Sequence, residues 1–318
     1  MNHAQVELAP IPIPAPSSAP GQFVEIAPIT AATVRIGNIT LQLNAPSDEN
    51  ISLNRALSAF SANSLSSDIS LDVRWNPNLR RLENPDFNSH AVWTFLRREV
   101  DFVFDFTSPP LGLDPYKRLR IDQDFSAGEI LLNSQALQPH TPICPLEYPA
   151  DELLITNYLA HRRLGVEVHG CGLIDGQTGG YLFLGHSGAG KSTTARFWQS
   201  LRGPEILSDD RIILRLHDNE LWMYGTPWHG EAAFASPGKA RLNRVFILQH
   251  GPENKIVTLP KARAVGELFA RCFPPFHSAS GLNRTIEFLN RVVETVPCYQ
   301  FCFVPEISAV QAALAFHD

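Results

Sequence analysis

The chain has 318 residues, 44% of them hydrophobic, with a formal net charge of −6. That length can bury a sizeable core and suggests two domains. The mildly acidic balance lacks the basic footprint of a nucleic-acid binder, and a charged fraction of only 18% suggests a surface partly covered by a partner or a second copy.

Residues 1–21 form a Pro/Ala/Ser-rich tail with prolines at Pro10, Pro12, Pro14 and Pro16. It has no basic segment and no uninterrupted apolar run, so it does not read as a signal peptide. No stretch elsewhere approaches the roughly 18 apolar residues of a membrane span. The five cysteines, Cys144, Cys171, Cys272, Cys298 and Cys302, form neither a zinc pattern nor a disulfide framework. Together these features point to a soluble, cytoplasmic protein without membrane contact.

Residues 22–140 read as a smaller α+β domain rich in antiparallel sheet. Val34, Ile36, Ile39, Leu41 and Leu43 flank Gly37-Asn38, a hairpin signal. Ile69, Leu71, Val73 and Trp75 alternate with polar residues, and Phe102, Phe104 and Phe106 mark a further strand. Leu53–Phe60 and Ala91–Arg98 are helical candidates. This part carries no catalytic constellation. Prolines punctuate a linker over 134–148.

Residues 141–318 form the second domain. An amphipathic helix opens at Ala150-Asp151, short buried strands then alternate with helices, and two or three helices with a strand near Tyr299–Val304 complete the chain. Within it, Tyr181–Leu184 is an apolar strand, and Gly185-His186-Ser187-Gly188-Ala189-Gly190-Lys191-Ser192 follows the pattern G-x-x-x-x-G-K-[ST]. Ser192–Leu201 is a helix candidate that Gly203-Pro204 stops. Glycines at 185, 188 and 190 permit left-handed backbone and an inward-facing nest of N–H groups at a helix N-terminus. Lys191 supplies a point charge for the β- and γ-phosphates of ATP, Ser192 offers a hydroxyl to Mg²⁺ or Mn²⁺, and Thr193 completes the binding segment.

Glu205–Leu214 delivers Asp209 and Asp210 from within an apolar strand, eighteen residues after Lys191. Neighbouring strand residues face opposite ways, so one carboxylate can serve a metal while the other accepts a proton from a hydroxyl. The loop Gly225-Thr-Pro-Trp-His-Gly-Glu231 offers Trp228, His229 and Glu231: His229 for phosphate, Glu231 for the metal shell or an amino group of the acceptor, the alternative being a turn whose tryptophan packs on the core. Arg211, Arg241 and Arg244 are candidates for charge stabilisation.

His169-Gly170, the segment Gly185–Ser192 and Ser208-Asp-Asp-Arg211 resemble, in order and spacing, the motifs of the HPr serine kinase/phosphorylases. The resemblance covers about residues 150–250. It implies an α/β fold whose P-loop core, with a mixed sheet, is shared with ATP-dependent phosphoenolpyruvate carboxykinases. It also implies transfer from ATP to a serine hydroxyl of a small molecule, peptide or carrier protein. Asp209 would be the base, Asp210 a metal ligand, His169 would stand beside the aspartates, and a homo-oligomer is implied. The family's R-G-x-G-I segment is absent here, as is its N-terminal half. The chain therefore looks closer to the broader HPr-kinase-related serine kinases, with the acceptor open. A nucleotide-binding regulatory module and a carboxykinase-type enzyme are the alternatives.

Overall fold

The computed structural model describes residues 31–46, 51–138, 142–176, 179–186, 188–202 and 205–316. The tail 1–21, Ser187 and the Gly203-Pro204 stop lie outside them.

The first half builds one mixed sheet. Its elements are β1 (Ala31–Ile36), β2 (Ile39–Asn44), the short helix α1 (Arg55–Ser58), β3 (Ile69–Trp75), β4 (Phe87–Asn88), β5 (Trp93–Arg97), β6 (Asp101–Phe106), β7 (Lys117–Asp122) and β8 (Ala127–Leu132). The spatial order is β1-β2-β3-β8-β7-β6-β5-β4. Only β2–β3 and β3–β8 are parallel among its described neighbours. Gly37 and Asn38 both take positive φ, which lets Ile36 pair directly with Ile39 across a two-residue turn.

Of the two helical expectations here, one fails and one holds in shortened form. Ala91–Arg98 contains β5, because Trp93, Thr94 and Phe95 favour extended backbone and pair with β6. Leu53–Phe60 shrinks to the four residues of α1, whose start is fixed by Asn54 accepting from the Leu57 amide.

The second half contains α2 (Ala150–Arg162), β9 (Gly165–Asp175), β10 (Gly179–Leu184), α3 (Lys191–Arg202), β11 (Glu205–Ser208), β12 (Arg211–His217), β13 (Glu220–Tyr224), β14 (Lys239–His250), β15 (Lys255–Thr258), α4 (Lys261–Phe269), α5 (Ala279–Thr295), β16 (Cys298–Phe303) and α6 (Ile307–Ala315). Strands run β10-β9-β12-β13-β14-β16-β15, and β10 also pairs in parallel with β14. That last pairing links the two ends of a five-strand circuit, so the long strands β9 and β14 each change partners along their length. Both sheets are mixed, and the molecule is α/β. Cys298 and Cys302 lie in β16, as ordinary strand residues.

Apolar side chains from α4 and α5 cover one side of this second sheet, and those of α3 and α6 the other. Helix α2 instead gives Ala150, Leu154, Ile155, Tyr158 and Leu159 to the core of the first sheet, where Ile213, Tyr224 and Trp228 join them. Core is therefore shared between the halves. Among the described residues no helix is long and apolar enough to cross a membrane.

Candidate phosphate-binding site

The site lies where β9 changes partners. From Asp175 back to Gly170 one edge of β9 pairs with β10. Below Gly170 the same edge is taken by residues 271–273: the His169 amide donates to the Arg271 carbonyl at 2.6 Å, and the Phe273 amide to the Glu167 carbonyl at 2.9 Å. The glycine-rich loop leaves β10 at this split and leads into α3, the strand–loop–helix order the sequence requires. Gly188 and Gly190 have φ of +78° and +91°, backbone that side chains disfavour. Gly185 does not share that conformation. A Cβ there would stand 2.6 Å from the Cβ of Ala189, so close approach is its requirement, not left-handed backbone.

Lys191 is buried, and its ammonium donates to the carbonyls of Gly185 at 2.9 Å and His186 at 3.1 Å. Burial first of all lowers its pKa, and the Arg271 charge adds to this against the pull of Asp210 and Asp209. Ser192 Oγ donates to Asp209 Oδ2 at 3.1 Å.

Asp209 and Asp210 sit at a bend between β11 and β12, yet the register of Ser208 on Gly172 and of Arg211 on His169 is continuous across it. The two carboxylates accordingly face opposite ways. Asp209 turns inward, 2% exposed, and accepts from the amides of Gly230, Ala232 and Phe234 at 3.0, 3.0 and 3.3 Å. With the Ser192 hydroxyl these donors occupy about four lone-pair positions, the capacity of one carboxylate. Gly230 is needed for this wrap, since a Cβ there would meet Asp209 Oδ2 at 2.8 Å. Asp210 is partly exposed and faces His169 Nε2 at 3.3 Å and Arg211 Nε at 3.5 Å. Burial, with repulsion from Lys191, pushes His169 down to about 4, so near neutral pH it faces Asp210 as a neutral imidazole and not as a cation.

Structure thus brings Ser192 to Asp209 and His169 to Asp210. No hydrogen bond joins Ser192 to Asp210 or Glu231 among the described residues. Glu231 is exposed, and no three His, Cys, Asp or Glu side chains gather as a metal cluster among the described residues. A hydroxyl beside one carboxylate is nevertheless a hard oxygen set of the kind Mg²⁺ uses when phosphate oxygens and water supply the rest. Trp228 is buried, packed on the core: its indole N–H donates to Asp151 Oδ2 at 2.8 Å, while its carbonyl accepts from Ser208 Oγ at 2.9 Å. The loop around Asp209 is thereby tied to the start of α2.

Sequence reasoning missed most of the second layer. Arg211 pairs with Glu152 at 2.7 Å and lies 3.6 Å from Glu167, with its guanidinium over the Phe273 ring. Burial, then the neighbouring Glu152 charge, pushes Glu167 well above the usual carboxylate range, against the pull of Arg211. Arg271 donates from Nη2 to His186 Nε2 at 3.0 Å and from Nη1 to Glu267 at 2.6 Å. Arg241, by contrast, makes an exposed ion pair with Glu220, and Arg244 lies over the Phe316 ring.

No family model matches the chain, and no curated protein does. Among solved structures it is similar to the Hpr(Ser) kinase/phosphatase from Coxiella burnetii, at 14% identity and a TM-score of 0.27, over 46% of this chain and 90% of that one. A likeness at that score fixes neither the fold family nor the activity of this chain.

Proposed function

We propose that the chain is a phosphotransferase that moves the γ-phosphoryl group of ATP to a serine-type hydroxyl. The observation that carries this reading is the 3.1 Å contact between Ser192 Oγ and Asp209 Oδ2 at the mouth of a glycine-rich loop ending in Lys191. Amides of the loop would cradle the triphosphate, and Lys191 would exchange its two carbonyl partners for phosphate oxygens. Ser192 and Asp209 would hold Mg²⁺, which when bound neutralises charge on the β- and γ-phosphates.

The resemblance gives Asp209 the base role and Asp210 the metal. Hydrogen bonding favours the reverse. Asp209 is saturated by three amides and one hydroxyl, and only the Ser192 position can be freed for another partner. Asp210 faces outward, steadied by neutral His169 and by Arg211, and can take the acceptor's proton as the hydroxyl attacks.

The other reading, a nucleotide-binding module without transfer, is favoured by Lys191 resting on its own loop's carbonyls. Labelled ATP with Mg²⁺ and a panel of serine, serine peptides and carrier proteins separates them. Label should pass to an acceptor and stop doing so in Lys191→Ala and Asp210→Asn. Nucleotide binding with no transfer across the panel would favour the module, and wild-type turnover in either variant would overturn the assignment of that residue.

A further inference from the structure

A cleft of about 270 Å³ lies against the loop on its α4 side, lined by His186, Leu259, Arg263, Glu267, Arg271 and Gln300 among others. That is smaller than the roughly 300–1,000 Å³ of drug-sized pockets, so it suits a small acid better than a folded partner. Arg271 is its distinctive wall. The residue is only 8% exposed, and its Nε has no hydrogen-bond partner. An arginine fork buried with one donor idle is costly unless something else completes it. Nη1 is held by the Glu267 carbonyl and carboxylate and one Nη2 hydrogen by His186, so the fork cannot turn away to satisfy Nε elsewhere, and its Nε–Nη2 edge is left for a ligand. Arg263 stands at the mouth, 3.8 Å from Glu267 and largely exposed. One acid between two arginines leaves the cleft with a surplus positive charge, next to the loop that carries Lys191.

We propose that this cleft is a second oxyanion subsite, anchored by Arg271 and distinct from the triphosphate nest of the loop. Its occupant carries a carboxylate or is a free phosphate, chemistry that a planar guanidinium recognises through paired N–H donors. The proposal rests on the kinase reading only in assigning that oxyanion to the reaction. Binding itself can be tested without it.

Isothermal titration of the full-length Lys191→Ala protein with inorganic phosphate, and separately with malonate, isolates the cleft from the loop. Binding of at least one anion is expected, with a tenfold or greater loss on adding Arg271→Gln and a loss of two- to fivefold on adding Arg263→Gln. Phosphate alone binding in this way assigns a free-phosphate site, and malonate alone a carboxylate site. Arg271→Lys in the same background, which keeps charge but not the fork, should fall between the Lys191→Ala protein and its Arg271→Gln derivative. It serves in place of the glutamine variant should that one not fold. No anion binding in Lys191→Ala, or binding unchanged by the arginine substitutions, would overturn the subsite. Loss of MgATP binding and transfer with anion binding intact would instead remove the kinase reading and leave the subsite standing.

Discussion

The two sheets bury charge in different ways. In the first, Asp105 accepts from Arg118 Nη2 at 2.8 Å, Asp101 and Glu129 share Arg120, and Lys117 is held by Glu147 and two carbonyls. One oxygen, Asp101 Oδ1, is left without a partner among the described buried side chains of that sheet. In the second, among the described residues, neither oxygen of Glu167 accepts a hydrogen bond and Arg211 and Arg271 each leave Nε without an acceptor, Arg211 holding Glu167 only by a longer 3.6 Å ion pair. Matched charges are a solution for a surface that only has to stay folded. Charges left short of partners cost stability and persist where a ligand or a reaction completes them.

Breaking a matched pair should have the largest effect on stability. Asp105→Ala strands the Arg118 guanidinium, and denaturant unfolding should show a loss of about 3–5 kcal/mol, with MgATP affinity of the folded protein within twofold of wild type. A collapse of MgATP affinity at full stability would erase the contrast between the sheets.

Asp151 sharpens it from the other side. Burial raises its carboxyl to about 7, well above its value in an unfolded chain. A raised acid contributes stability that is complete below about pH 4 and is lost as pH climbs through 7. Asp151→Asn keeps an acceptor for Trp228 and removes the ionisation. It should therefore raise stability by about 2–4 kcal/mol at pH 8 and leave it nearly unchanged at pH 4, as read from melting across pH.

His277 supplies the smallest expected effect and the opposite slope. Its ring sits among Phe87, Trp93, Phe95 and Phe104, 4.4 Å from Phe95 at the closest, and burial lowers it to about 4. A depressed base gives stability that is present above its unfolded pKa near 6.5 and is lost as pH falls toward 4. His277→Phe should spare about 1–3 kcal/mol of that acid loss, with no gain at pH 8. Equal acid sensitivity in both proteins would show that this box does not hold a neutral imidazole.

Legibility in the sequence tracked the range of the contacts. Gly185–Ser192 announces itself because strand, loop and helix are contiguous, and Asp209-Asp210 because they sit between two short apolar strands, β11 and β12, that pair with one partner strand. The hairpin at Gly37-Asn38 is equally local. Trp228 on Asp151 spans 77 residues, and His186 on Arg271 spans 85, and no local pattern marks either pairing. For Ala91–Arg98, apolar spacing over eight residues fits a helix or a strand, and pairing with β6 decides it. Glu231 reads as a metal ligand by its place in the loop. The loop's amides do the wrapping of Asp209, and its side chain stays in solvent.

Direct titration of MgATP into the wild-type protein and Lys191→Ala is the sharpest test of the site. A nest of amides completed by one ammonium should bind MgATP in the wild type and lose about a hundredfold in affinity in the variant, the scale for removing one charged donor. Equal affinity in the two proteins, or none in either, would contradict it.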